Sequence, residues 1–142
     1  MSVRSLQELK QLLIDNGFEV FRTLGSRIVL ADRVRENLIM DSYVSAVYDD
    51  GLAVRVALRA QAADFPGETE DQLFERVLRH AQQLGSRGYG EVERAVVPLA
   101  DPSDPRKTLD TWCEVSFHKK LAMEQELHEE LRYALALAKT PS

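Results

Sequence analysis

Three histidines, one cysteine and a glutamate-rich run are the side chains of this 142-residue sequence best suited to proton transfer, nucleophilic attack or metal binding. His80, His118 and His128 fall in separate segments, and no two have the one-turn spacing that sets paired imidazoles on a single helix face for a metal ion. His118 follows Ser116 and Glu114 at alternate positions, a set that superficially suggests a triad. Same-face neighbours on a strand stand about 7 Å apart, however, which is too far for a hydrogen-bonded relay. A solvated strand face is the plainer reading of that group. Cys113 alternates in phase with Val115 and Phe117, so it is expected to be a small buried hydrophobe rather than a nucleophile. The run "EQELHEEL" (124–131) spaces carboxylates around His128 by one turn. A single helix does not supply an inward-facing ligand set, so those glutamates read as a solvated face. HExxH, CxxC, the Walker loop, GxGxxG and GxSxG are all missing from the sequence. The expectation is therefore a non-enzyme, with no catalytic, cofactor-binding or metal-ligating residue and no cofactor. A lone cysteine also excludes an internal disulfide.

Arg55 and Arg59 with Tyr43 could offer a sheet surface to nucleic acid, as stacking modules do. The formal charge of −5 and the lack of paired aromatics on one strand argue against it. The charge is uneven: residues 20–60 carry six arginines against five acids, whereas residues 61–130 carry 15 acids against eight basic residues. No apolar run approaches the roughly 20 residues of a membrane helix, and "MSVRSLQELK" lacks the apolar centre of a signal peptide. No nucleic acid, no membrane and a cytoplasmic location are expected.

The elements that would carry these side chains are legible from capping and periodicity. Ser5 with Glu8 forms a capping-box pattern ahead of Leu6, Leu9, Leu12 and Leu13, and Asn16-Gly17 ends that helix. "FEVFRTL" and "RIVLAD" flank Gly25-Ser26 as a hairpin. "NLIMDSYVSAVY" and "LAVRVALRA" flank Asp49-Asp50-Gly51, the strongest turn signal in the chain. In the latter strand Leu52, Val54, Val56 and Leu58 share one face. Thr69 with Gln72 opens a helix striped by Leu73, Phe74, Val77, Leu78, Ala81 and Leu84, and Gly85 ends it. "VERAVVPL" and "TWCEVSFHK" are further strands, and a last helix is expected over 123–139. Between those strands "LADPSDPRKTLD" reads as a long hairpin loop over Asp101–Lys107, of undecided function. The expected fold is a single α+β domain over residues 1–142, two-layered, in the order α-β-β-β-α-β-β-α. Its sheet is antiparallel and five-stranded.

The stretches "SLQELKQLLIDNGF", "SYVSAVYDDGLAVRVAL", "TEDQLFERVLRHAQQLG" and "TWCEVSFHKKLAMEQELHEEL", in that order, give the chain its resemblance to the type III secretion chaperone-like fold. That fold includes the bacterial YbjN-like family of sensory-transduction regulators. The resemblance implies a non-enzymatic dimer that holds another polypeptide or regulates by protein contact.

The residues themselves lead the same way. An open sheet leaves a face or an edge uncovered, and Tyr43 and Trp112 fall on faces assigned outward. The helix stripe is too broad for one contact, so Phe74 and Leu78 are candidates to meet a partner while Leu73, Val77 and Leu84 meet the sheet. The expected function is a protein-binding module, a homodimer with a further protein partner, whose candidate interface is Phe74, Leu78, Tyr43 and Trp112. The alternative is an effector-binding regulator with a small-molecule pocket between sheet and helices.

Overall fold

Side-chain caps open the first two helices of the computed structural model, which describes residues 3–139. In α1 (Leu6–Asp15) the Ser5 hydroxyl accepts the Glu8 N–H at 3.1 Å. Only half of the expected box forms, because the Glu8 carboxylate turns to the Arg4 N–H at 2.8 Å. In α2 (Glu70–His80) the box is complete: Gln72 N–H donates to Thr69 Oγ1 at 3.2 Å, and Thr69 N–H donates to Gln72 Oε1 at 2.8 Å. The apolar stripe continues past α2, but the helix does not. At Ala81 the chain tightens into a short α3 (Gln82–Ser86), with Leu84 N–H bonded to the Ala81 carbonyl at 2.9 Å. α4 covers Leu127–Lys139 after a 3-10 turn at Glu124–Glu126, so the expected start at Met123 is early by a turn.

The strands are β1 (Val20–Leu24), β2 (Arg27–Arg35), β3 (Leu38–Tyr48), β4 (Leu52–Gln61), β5 (Gly90–Asp101) and β6 (Asp104–Lys120). They make an α+β fold with one open antiparallel sheet in the order β1-β2-β3-β4-β6-β5. The sheet has six strands rather than the expected five, and four of them, not three, precede α2. Both arms of the Gly25-Ser26 hairpin pair, Leu24 with Arg27, Thr23 with Ile28 and, across a register shift, Val20 with Leu30, so each counts as a strand. The expected long loop at Asp101–Lys107 is also corrected. β5 reaches Asp101 and β6 starts at Asp104, leaving Pro102-Ser103 as the turn. Asp101 Oδ1 accepts both the Ser103 N–H at 2.9 Å and its hydroxyl at 2.7 Å. This Asx-type bracing lets a polar, proline-containing stretch serve as a tight turn.

The chain divides into two compact units, and the boundaries fall inside β4 after Val56 and inside β6 after Phe117. In the first unit the pairs Ile28–Ala46, Ala46–Val54 and Val44–Val56 put alternate residues on one face. Those residues, Leu30, Leu9 and Leu13 of α1, and Leu127, Leu131 and Ala134 of α4 are all fully buried. Each large aliphatic so buried contributes about 1.5–3 kcal/mol of transfer free energy. α4 also buries Glu130, whose carboxylate takes the Lys119 ammonium at 3.1 Å. In the second unit Leu58 and Ala60 of β4, Leu73 and Val77 of α2, Leu84 of α3, and Cys113, Val115 and Phe117 of β6 are buried. Ser116, expected on the outward face with Glu114 and His118, is buried as well. The segment entering α2 is clamped to it. The Arg76 guanidinium lies 3.9 Å from the Phe65 ring centroid and grips both Glu68 carboxylate oxygens.

Candidate functional site

The four residues expected to form an interface do not make one patch. Tyr43 lies in the first unit, half-buried, where β3 bulges: its φ is +62°, the Asp41 carboxylate accepts its N–H at 2.7 Å, and Ser42 donates to the Leu30 carbonyl at 2.6 Å. A non-glycine residue in the left-handed region costs about 1–2 kcal/mol, which those side-chain hydrogen bonds offset. Phe74, Leu78 and Trp112 lie in the second unit, all half-buried. Trp112 points away from α2, because its neighbour Cys113 faces α2 with Sγ 3.8 Å from the Glu70 carbonyl. The Arg59 guanidinium covers the indole at 4.9 Å. Phe74 and Leu78 are therefore separated from Trp112 by the thickness of the sheet.

Beside Phe74 and Leu78 the second unit exposes apolar side chains that the sequence reading did not single out. Val92, Val96 and Leu109 are 52%, 42% and 62% exposed. Arg94 of β5 stands over the Phe74 ring at 5.7 Å, so β5 shows α2 the face that holds Arg94, and Val92 and Val96 flank it at i±2. Leu109 shares the Cys113 face of β6 by the same alternation. Counted back from Asp101 and Asp104 in an unbulged hairpin, Val96 stands opposite Leu109. The result is an apolar strip, interrupted by Arg94, running from α2 onto the end of the β5–β6 hairpin. β5 is an edge strand, and Pro98 interrupts its outer row of backbone donors, a common guard against unlimited strand addition. The Glu91 carboxylate is bound by Arg94 at 2.6 Å, which holds it below the usual carboxylate range. Alternation in "VERAVVPL" carried a signal for Val92 and Val96; Leu109 was hidden by its proline- and charge-rich surroundings.

The first unit carries a separate concavity of about 460 Å3 between α4 and the start of the sheet. Arg132 and Lys139 of α4 line it with Phe18, Ala31 and Arg33. Arg33 donates from Nε to Glu19 at 2.8 Å and holds that carboxyl below its ordinary value. Phe18 stacks on His128 with centroids 5.8 Å apart and planes at 16°. His128, weighed above as a metal ligand, is thus an aromatic neighbour of Phe18. Among the described residues no group of three or more His, Cys, Asp or Glu side chains is placed to hold a metal ion. A second cleft lies by α1, and its carboxylates are already engaged: Glu8 with the Arg4 N–H, Glu124 with the Val3 N–H, Asp15 with the Gln11 amide. Cys113 is buried, and desolvation first, then the Glu70 and Asp71 charges, push its thiol above the ordinary value. No helix among the described residues is long and apolar enough to cross a membrane. No family model, curated protein or solved structure matches this chain.

Proposed function

We propose that this chain is a non-enzymatic, cytoplasmic protein-binding module that forms a homodimer and acts by contact with a further polypeptide. It would work in the manner of the type III secretion chaperone-like and YbjN-like proteins its element order resembles. One observation carries the reading: Val92, Val96 and Leu109 stand exposed together beside half-buried Phe74 and Leu78. Exposed apolar side chains with charge among them, here Arg94 between Val92 and Val96 and Lys107 two residues from Leu109, have the anatomy of an interaction surface, with the Phe74 ring at the base.

The test is the mass in solution of the wild-type chain, of Leu109→Asp and of Val96→Asp, by light scattering at high micromolar concentration. Twice the 16.1 kDa chain mass is expected for wild type, and the single mass for both variants with unchanged melting temperatures. A wild-type monomer, or variants that remain dimeric, would refute the assignment of the dimer to this strip. The second reading, a small-molecule effector regulator, is favoured by the concavity between α4 and the sheet.

A further inference from the structure

We infer that the concavity along α4 binds a small amphipathic anion, a single carboxylate, sulfonate or phosphate on an apolar body, with Arg132 as its anchor and Lys139 as the outer charge. This rests on the second reading of function and is independent of the protein-docking strip. The Arg132 guanidinium lies over the Phe18 ring, 5.3 Å from its centroid, and pairs with no carboxylate among the described residues. A guanidinium stacked on one face keeps its N–H edge for planar, bidentate contact with an oxyanion. Phe18 also stacks with the His128 ring, so the platform is braced before any ligand arrives.

Lys139 follows Arg132 by two helical turns on the same side of α4, about 10 Å further along. Its link to Asp32 is 3.4 Å long with the lysine side chain 62% exposed, a pair an incoming anion can exchange at little cost. Arg33 is committed to Glu19 and to the Glu36 carbonyl, so it forms wall rather than free charge. The three cations of the site outnumber Glu19 and Asp32, which leaves a positive pocket on a chain of net charge −5. Between the two α4 cations the lining is Leu135 and Ala136, faced by Ala31 and Phe18.

The backbone decides between a bare anion and an amphipathic one. The Gly17 and Phe18 N–H groups, the nearest candidates for a phosphate nest, already donate to the Ile14 and Leu13 carbonyls at 3.1 and 3.0 Å. Without such donors an inorganic phosphate meets two side-chain cations and an apolar floor it has no use for. An aromatic or aliphatic anion uses both, and the volume of about 460 Å3 suits a molecule of that size.

The probe is 1-anilinonaphthalene-8-sulfonate, followed by its fluorescence on the full chain. Its uncharged analogue N-phenyl-1-naphthylamine and inorganic phosphate as competitor form the other arms. Saturable binding of the sulfonate is expected, about tenfold weaker in Arg132→Gln as one charge-assisted contact is lost, and weakened to a lesser degree in Lys139→Gln. The uncharged analogue should bind more weakly than the sulfonate, and phosphate should not displace it. Equal affinity in wild type and Arg132→Gln, displacement by phosphate, or no saturable binding would overturn the inference. Binding lost in Leu109→Asp but kept in Arg132→Gln would overturn it too, by placing the probe on the β5–β6 strip. Of these arms only Leu109→Asp is expected to change the dimer mass, and the Arg132 and Lys139 variants should leave it as in wild type, so the docking reading stands or falls separately.

Discussion

Cys113 provides a direct test of the packing in the second unit. Its side chain has no exposed surface, its Sγ rests 3.8 Å from the Glu70 carbonyl, and Val115 and Phe117 continue the same buried face. An aromatic disulfide reagent attacks the thiolate, so two independent barriers act. The chain must open to admit the reagent, and the thiol must ionise where burial and the Glu70 and Asp71 charges push its pKa up. If exposure requires an opening of about 5 kcal/mol, the low end for a stable domain, labelling runs roughly 10³–10⁴-fold slower than for a denatured chain. Removing the sulfur in Cys113→Ala should cost about 1 kcal/mol or somewhat more, read as a fall in melting temperature of roughly 2–4 °C per kcal/mol for a chain of this size. The linkage has a definite sign. A thiol pKa raised by folding means the folded state holds the proton more tightly, so stability is intact below the ordinary thiol pKa and declines above it. Cys113→Ala should remove that alkaline decline. Labelling of the native protein at the free-thiol rate would refute the burial, and with it the phase of the whole β6 strand.

Thr69→Ala removes the hydroxyl that accepts the Gln72 N–H and should destabilise the chain by about 1 kcal/mol in urea unfolding, whereas Thr69→Ser should restore most of it. Glu19, Glu68 and Glu91 are lowered by hydrogen bonds from Arg33, Arg76 and Arg94, and Asp101 by those from Ser103. For carboxyls with folded pKa values below the unfolded ones, the stabilisation is present above the ordinary carboxylate range and is lost as pH falls through the folded values. The urea midpoint should therefore drop on acidification below about pH 5, with a shallower slope in Glu68→Gln; an identical slope in that variant would refute the assignment.

The parts of this fold that were readable in the sequence are those fixed by local chemistry. Thr69 and Gln72 satisfy each other's orphan backbone groups wherever the helix sits, and the Gly25-Ser26 and Asp49-Asp50-Gly51 turns need only their own backbone. The misreadings share a different cause. Asp101 to Lys107 has the composition of a loop, yet two hydrogen bonds from Ser103 to one Asp101 oxygen make Pro102-Ser103 a turn, and the rest becomes strand. Ser116 and Glu130 are polar and were placed on solvated faces, yet both are buried; for Glu130 a lysine from another element reaches its carboxylate.

Periodicity states which residues share a face, but not what lies over that face. That gap is also why the site was only partly visible. The helical phase of Phe74 and Leu78 set them apart from Leu73 and Val77, and they are indeed the less buried pair. Trp112 was assigned to the opposite strand face from Cys113 correctly, but the Arg59 guanidinium covers it. Leu109 and Arg132 had no sequence signal of their own. Leu109 becomes part of a strip only because a two-residue turn brings β5 alongside it. Arg132 becomes a candidate anchor only because Phe18, from the other end of the chain, lies beneath its guanidinium. Each is defined by one long-range neighbour. A substitution at that neighbour, Phe18 for the cleft or Val96 for the strip, should therefore disable its own site and leave the other intact.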